Sequence, residues 1–316
     1  MAPALRGAGA MAPCRQVHAP PSYNDLVTLY SHRLNADLHS HSTVSDGTLE
    51  PEALAARAKA NGVELWSLTD HDEVRGQARA LQAAKSLGLP YLTGTEISIT
   101  FVGITVHIVG LGFDAEDPAL LAGLAATRNG RQRRAMEMSE SLAQAGIRGA
   151  YEGALKYVRN PDLISRTHFA RHLVDSGVCS DTQEVFRRYL VEGKPGFVPH
   201  RWATLRDAVQ WITGAGGVAV IAHPGRYRLS ANEEYALFTE FLAHGGRAVE
   251  VVTGSHTPAH AAKYTDMALE FNLYASRGAD FHSPEESMAD LGSLPELPAR
   301  LTPVWAALEH RIQRAD

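Results

Sequence analysis

The sequence predicts an α/β fold: βα units that form a parallel sheet or barrel, carrying a helical insert. Three observations carry this. From Asn35 onward, short apolar strand-like runs alternate with helical stretches closed by glycine. Residues 117–198 are helical in pattern and hold no convincing strand. The polar clusters stand where apolar runs end, and in β/α barrels that is where active sites assemble.

Taken in order, residues 1–34 are rich in Ala, Pro and Gly without periodicity and read as a flexible tail. They lack the continuous apolar run of a secretory signal. "ADLHSH" reads as a short strand. "LEPEALAARAKANG" is a helix, with Pro51 near its start and Gly62 past its end. "VELWSLTDHD" is a strand ending in polar residues, and "VRGQARALQAAKSLG" is the next helix. "LPYLTGTEISITFVGITVHIVGLGF" reads as strand, hairpin, strand. The helical insert, or lid, spans 117–198. The helix-then-strand rhythm resumes in "TLRDAVQWITGAGGVAVIAHPG", "ALFTEFLAHGGRAVEVVTGS" and "HAAKYTDMALEFNLYASRGADFHS". The barrel is thus discontinuous, over 35–116 and 199–305.

The 316 residues are enough to bury a full core. A net charge of −5 argues against a surface built for long nucleic acid or anionic membranes, while leaving room for a local basic patch. No apolar run reaches the roughly eighteen residues of a membrane span. Cys14 and Cys179 form no disulfide framework and suit a reducing, cytoplasmic setting. The compositional excess is histidine, at fifteen residues, which points to metal binding.

"NADLHSHSTVSDGT" sharpens that point. Residues two apart on a strand share a face, so His39 and His41 aim at one spot. Asp46 follows after a turn that Gly47 helps to close. Asp70, His71 and Asp72 end one strand, His223 another, and Asp280 and His282 a third; Glu96 and His107 lie in the hairpin. His18, His32, His244 and His310 lack such a setting and read as ordinary histidines. Glu250 reads as a plain barrel carboxylate, and neither it nor His256 receives a role.

"DLHSHSTVSDG", "LTDHD", "GTEIS", "VHIVG", "AHPG" and "GADFH", in that order, resemble the polymerase-and-histidinol-phosphatase (PHP) family across residues 35–283. The resemblance implies a distorted seven-stranded β/α barrel that hydrolyses phosphate esters with two or three divalent metals. Mn²⁺ is the leading choice, with Fe²⁺ or Zn²⁺ also compatible with mixed His/carboxylate donors. Carried over by motif, His39, His41, Glu96 and Asp280 hold one metal. Glu96 bridges to a second, completed by His107 and His223. Asp46, His71 and His282 hold a third. The implied attacking group is a metal-bound hydroxide, supported by His39, Glu96 and Asp280. Asp37, Asp70 and Asp72 read as partners that orient ligand imidazoles, with turn or capping chemistry as the plain reading beside it.

In the insert, Arg128, Asn129, Arg131, Arg166 and His168, with Lys194 and His200 leading back to the barrel, are the expected substrate-binding residues. Arginine matches phosphate oxygens in bidentate fashion. Arg133 and Arg134 read as a solvated basic face. The "RN", "SRTHFA" and "GFVPH" segments resemble one branch of the family. Its members include phosphatases that remove the 3′-phosphate of nucleoside 3′,5′-bisphosphates. The implied partner is a small nucleotide, with the 5′ end of short RNA as a second possibility; no membrane and no obligate protein partner is expected. The alternatives are a 5′→3′ exonuclease on short oligonucleotides and a histidinol-phosphate phosphatase. The arginines oppose the latter, whose substrate is cationic. A non-catalytic, polymerase-associated module is disfavoured because all nine ligand positions are filled.

Overall fold

The computed structural model describes residues 33–315. The expected tail, with Cys14, His18 and His32, lies outside them except for its last two residues. Among the described residues, seven strands run in sequence order around one sheet: β1 (Ala36–Asp37), β2 (Leu65–Leu68), β3 (Tyr91–Phe101), β4 (Ile104–Leu111), β5 (Val218–Ile221), β6 (Ala248–Thr253) and β7 (Tyr274–Gly278). The β3–β4 and β4–β5 pairs are antiparallel and the other pairs are parallel. The ring closes between β7 and β1. Leu38 N–H donates to Arg277 O at 3.0 Å, Asp280 N–H to His39 O at 2.9 Å and His41 N–H to Phe281 O at 2.8 Å. A Cβ on Gly278 would overlap the backbone of His39, so closure requires glycine there. This is the distorted seven-stranded β/α barrel that the resemblance implied.

Short parallel strands need crossovers, and helices α1 (Pro51–Ala60) and α2 (Gln77–Ser86) supply the first two. Pro51 fits the first turn of α1, where no backbone N–H is needed. The hairpin between β3 and β4 turns on Val102 and Gly103, both at positive φ (47° and 81°), as a tight two-residue connection demands.

Helix α3 (Pro118–Arg128), which the sequence reading assigned to the insert, buries Leu120 and Leu124 in the barrel core. The insert proper begins with α4 (Arg131–Gln144) and continues through α5 (Ala150–Leu155), α6 (Arg166–Asp175), the short α7 (Thr182–Val185) and a π-turn at Phe186–Leu190. It has its own apolar core, including Met138, Leu142, Phe169, Leu173, Val185 and Leu190. At the other end, Val304, Trp305 and Leu308 are buried in the barrel, and Gln313 exchanges backbone hydrogen bonds with Tyr91. The barrel therefore extends past the expected limit at 305. No helix among the described residues is long and apolar enough to cross a membrane.

Candidate metal centre

At the mouth of the barrel, the ends of distant strands place nine donor side chains in one cluster. On the extended backbone after β1, His39 and His41 face the same way, with their Nε2 atoms 3.1 Å apart. Ser98 pairs with His107 across β3 and β4, and Glu96 shares the face of Ser98, so the hairpin delivers a carboxylate and an imidazole together. His71 follows β2, His223 follows β5, and Asp280 and His282 follow β7. Asp72, His223 and Asp280 all adopt positive φ (50°, 26° and 55°). Such backbone is costly for residues other than glycine and concentrates where a site dictates side-chain direction.

The donor atoms fall into three groups, each within 4.8 Å: His41, Asp46, His71 and His282; His39, Glu96, His223 and Asp280; and His71, Glu96 and His107. All nine expected ligand residues come together, but the partition differs from the one expected. His41 stands with the Asp46 group, although its Nε2 also lies 3.2 Å from Asp280 and 3.3 Å from Glu96. His223 stands with His39 and Asp280. His71 is shared, with Nδ1 2.9 Å from Glu96 and Nε2 3.8 Å from Asp46. A barrel mouth interleaves side chains from adjacent strands, and motif order along the chain does not carry that interleaving.

The cluster fits divalent cations. Asp46 Oδ1, Glu96 Oε2, His41 Nδ1 and His71 Nδ1 are buried without a well-aligned hydrogen bond, although His71 Nδ1 and Glu96 Oε2 approach to 2.9 Å, a costly arrangement unless the lone pairs converge on something else. Burial alone would raise the carboxyl pKa values, yet His107, His71 and His39 hold Glu96 well below the usual carboxylate range. His71 and His282 do the same for Asp46, and His39 and Arg226 for Asp280. Burial pushes His223 down to about 3, with Arg226 adding to the effect, so this imidazole is neutral and able to ligate at neutral pH. Burial lowers His107 as well.

The partners of this cluster differ from those expected. Asp37 accepts from the backbone N–H groups of Ala279 and Gly292, both at 2.9 Å. Asp70 accepts from Ser42 N–H and Oγ at 2.8 Å and from Ser45 Oγ at 2.6 Å, which pins the turn that carries Asp46. Asp72 accepts from Ser98 and from Arg131. None of the three is hydrogen-bonded to a ligand imidazole. That part belongs to Glu250, whose Oε1 is 2.8 Å from His39 Nδ1 while its Oε2 accepts from His223 N–H at 2.6 Å. His256 Nε2 accepts from Gly225 N–H at 3.0 Å and steadies the same turn.

The insert forms the far wall of the cleft above the cluster, through Arg131, Arg134, Ser165, Arg166, Thr167 and Phe186. Arg131 is buried, paired with Asp72, its guanidinium 4.5 Å from the Trp202 ring centre. Arg134, expected on a solvated face, lines the cleft, whereas Arg133 is exposed and pairs with Glu137. Among the described residues neither Arg134 nor Arg166 pairs with a carboxylate. Burial and then neighbouring guanidinium groups push Arg134 down to about 9 and Arg166 to about 10.

The other expected substrate-binding residues lie elsewhere. Arg128 donates to Asp72 O and approaches Glu73 at 3.7 Å. Asn129 and Lys194 are exposed. His168 is buried and caps α6, its Nδ1 accepting from Ser165 N–H at 3.0 Å. His200 packs on Trp202 and lines an outer cleft with Arg134, Arg166 and Arg226. Arg226, missed in the sequence, ion-pairs with Asp280 and lines the metal cleft. Its only signal is its place directly after "HPG" at a strand end.

The PHP domain family matches residues 37–130. A relative from Chromobacterium violaceum named 3′,5′-nucleoside bisphosphate phosphatase is 51% identical, over 89% of this chain and 98% of its own length. A Haemophilus influenzae protein named 5′-3′ exoribonuclease is 40% identical, over 85% of this chain and 97% of its own. A solved structure of an amidohydrolase from Chromobacterium violaceum with bound sulfate superposes with a TM-score of 0.86 at 51% identity, covering 89% of this chain and 98% of that one. A structure described as a metal-dependent phosphoesterase from Bifidobacterium adolescentis gives a TM-score of 0.72 at 28% identity, covering 86% of this chain and 94% of that one. With relatives of this identity matched along nearly their whole length, the chain belongs to the PHP family.

Proposed function

We propose that the protein is a metal-dependent phosphoesterase that removes the 3′-phosphate from nucleoside 3′,5′-bisphosphates and leaves nucleoside 5′-monophosphates. The observation that carries this reading is one cleft in which seven of the nine clustered donors face Arg134 and Arg166, cations that pair with no carboxylate among the described residues. The name of the Chromobacterium relative supports the same substrate class.

His39, His41, Asp46, His71, Glu96, His107, His223, Asp280 and His282 would hold two or three divalent ions, with Mn²⁺ the leading choice. Such ions offset phosphate charge and make water nucleophilic near neutral pH. Glu250 fixes the His39 ring so that Nε2 faces the cluster. Arg134 and Arg166 draw in and orient an anionic group beside it. The reaction consumes one water, breaks the bond between phosphorus and O3′, and releases inorganic phosphate and a 3′-hydroxyl. Neither hydroxyl nor thiol of the chain is needed as a nucleophile.

A second reading, 5′→3′ trimming of short RNA, is favoured by the name of the Haemophilus relative and uses the same centre. The arginine wall disfavours a cationic substrate such as histidinol phosphate.

The test is phosphate release with Mn²⁺ from adenosine 3′,5′-bisphosphate, histidinol phosphate and a short 5′-phosphorylated RNA. The bisphosphate should lead and yield 5′-AMP. Replacing Arg166 with Ala should weaken the bisphosphate at least tenfold more than an aryl phosphate, because a charged hydrogen bond is lost only with the former. Equal losses would assign Arg166 to the fold. Preference for histidinol phosphate would overturn the substrate reading.

A further inference from the structure

Two clefts of opposite chemistry share Arg226 with the cleft over the metal centre. One runs past Arg134, Arg166, His200 and Arg228, with Glu192 its only carboxylate among the described residues. The other is lined by Phe186, Gln183, Thr182, Ser255, Ser287 and Met288, and opens onto Asp280 and His282. Its remaining charged side chains are already paired: Glu286 with Arg171 at 2.7 Å, and Arg226 with Asp280.

We infer that this second cleft is the nucleobase subsite, with Phe186 as its stacking platform and as a specificity-determining residue. The inference rests on the phosphatase reading above. A nucleoside 3′,5′-bisphosphate has three recognisable parts: a phosphate to be cleaved, a second phosphate and a flat, neutral base. Three clefts meeting at one arginine match them one to one. The donor cluster takes the first phosphate and the cationic cleft takes the second. The neutral cleft suits a base, which offers a π-face and hydrogen-bonding edges but no charge. Phe186 supplies an aromatic face bordering both this cleft and the metal cleft. Gln183, Thr182, Ser255 and Ser287 supply neutral donors and acceptors for a base edge. Met288, 73% exposed, supplies a soft apolar contact at the rim. Phe186 opens the π-turn at Phe186–Leu190, a distortion that often re-aims a functional side chain. Stacking accepts any base, so purine and pyrimidine substrates should both bind, with edge contacts setting the preference.

The test compares kcat/KM for 2′-deoxyadenosine 3′,5′-bisphosphate with that for 1,2-dideoxyribose 3,5-bisphosphate, which keeps the same sugar hydroxyl pattern and both phosphates and lacks only the base. The ratio of the two is the readout. Phe186→Ala should lower it about tenfold, chiefly through KM, as loss of one stacked base does elsewhere. Phe186→Tyr should restore it to within about threefold. Gln183→Ala, on an exposed side chain whose loss threatens no core, should lower it about threefold and keeps the test alive if Phe186→Ala fails to fold. A ratio unchanged in both Phe186→Ala and Gln183→Ala overturns the subsite and leaves the phosphatase reading standing. A wild-type protein that hydrolyses neither bisphosphate overturns both.

Discussion

His39 lies between carboxylates with opposite duties. Glu250 grips its Nδ1 at 2.8 Å, while Nε2 faces Glu96 and Asp280 at 3.4 Å. Burial alone would lower its pKa, but Glu250, Glu96 and Asp280 hold it well above the usual imidazole value. The ring is fixed in one orientation with little freedom to turn away. Because Glu250 also accepts from His223 N–H, one side chain orients donors from two strands. Removing such a partner ordinarily costs about 10–100-fold in metal affinity. Glu250→Ala should therefore keep a folded barrel and weaken Mn²⁺ binding by that factor in competition with a chelator dye. Unchanged affinity would reduce Glu250 to a packing residue.

At the scale of the element, α6 ties the insert to the centre. Ser165 Oγ donates to Asp46 at 3.1 Å, and Arg171 makes a two-pronged pair with Glu286 at 2.7 and 2.8 Å. His168, one turn into α6, is 1% exposed, and burial pushes it down to about 4. Its folded value lies below the unfolded one of 6.5, so the folded chain binds fewer protons between those limits. The insert should thus lose stability as pH falls from about 6.5 to about 4, by on the order of 3 kcal/mol. Protection factors at residues 165–175, which correct for the pH dependence of intrinsic exchange, should fall over that window, and less so in His168→Gln; an equal fall in both would reject His168 as the cause. The limits of sequence reading show clearly here. The two-residue alternation of His39 and His41 was legible because a strand has only two faces. The side that a helical residue presents, and to what, is set by packing. Leu120 and Leu124 announce an apolar face on α3 without saying that the barrel covers it. Arg134 looked solvated because neither Trp202 nor the cleft is near it in sequence. Glu250 sits among valines in "AVEVV" and carries no motif.

For the whole molecule, the nine donors span His39 to His282 and come from both flanks of the barrel closure, from the ends of β2 and β5 and from the hairpin. An ion bound there joins segments that are far apart in the chain, and it binds the folded state only. By mass action each site adds about 2.7 kcal/mol at a hundredfold excess over its Kd. Two or three sites would add roughly 5–8 kcal/mol, which in a domain of this size raises Tm by roughly 10 °C or more. Thermal unfolding with Mn²⁺ and with a chelator should differ by that much. The hydrogen bond from Ser165 to Asp46 extends the effect to the insert, so protection at residues 165–175 should increase with metal and the increase should shrink in Ser165→Ala. If Mn²⁺, Fe²⁺ and Zn²⁺ all leave Tm unmoved, these side chains do not form a multi-metal centre. If Tm rises and the insert's protection does not, the centre stands and the insert's stability is independent of it.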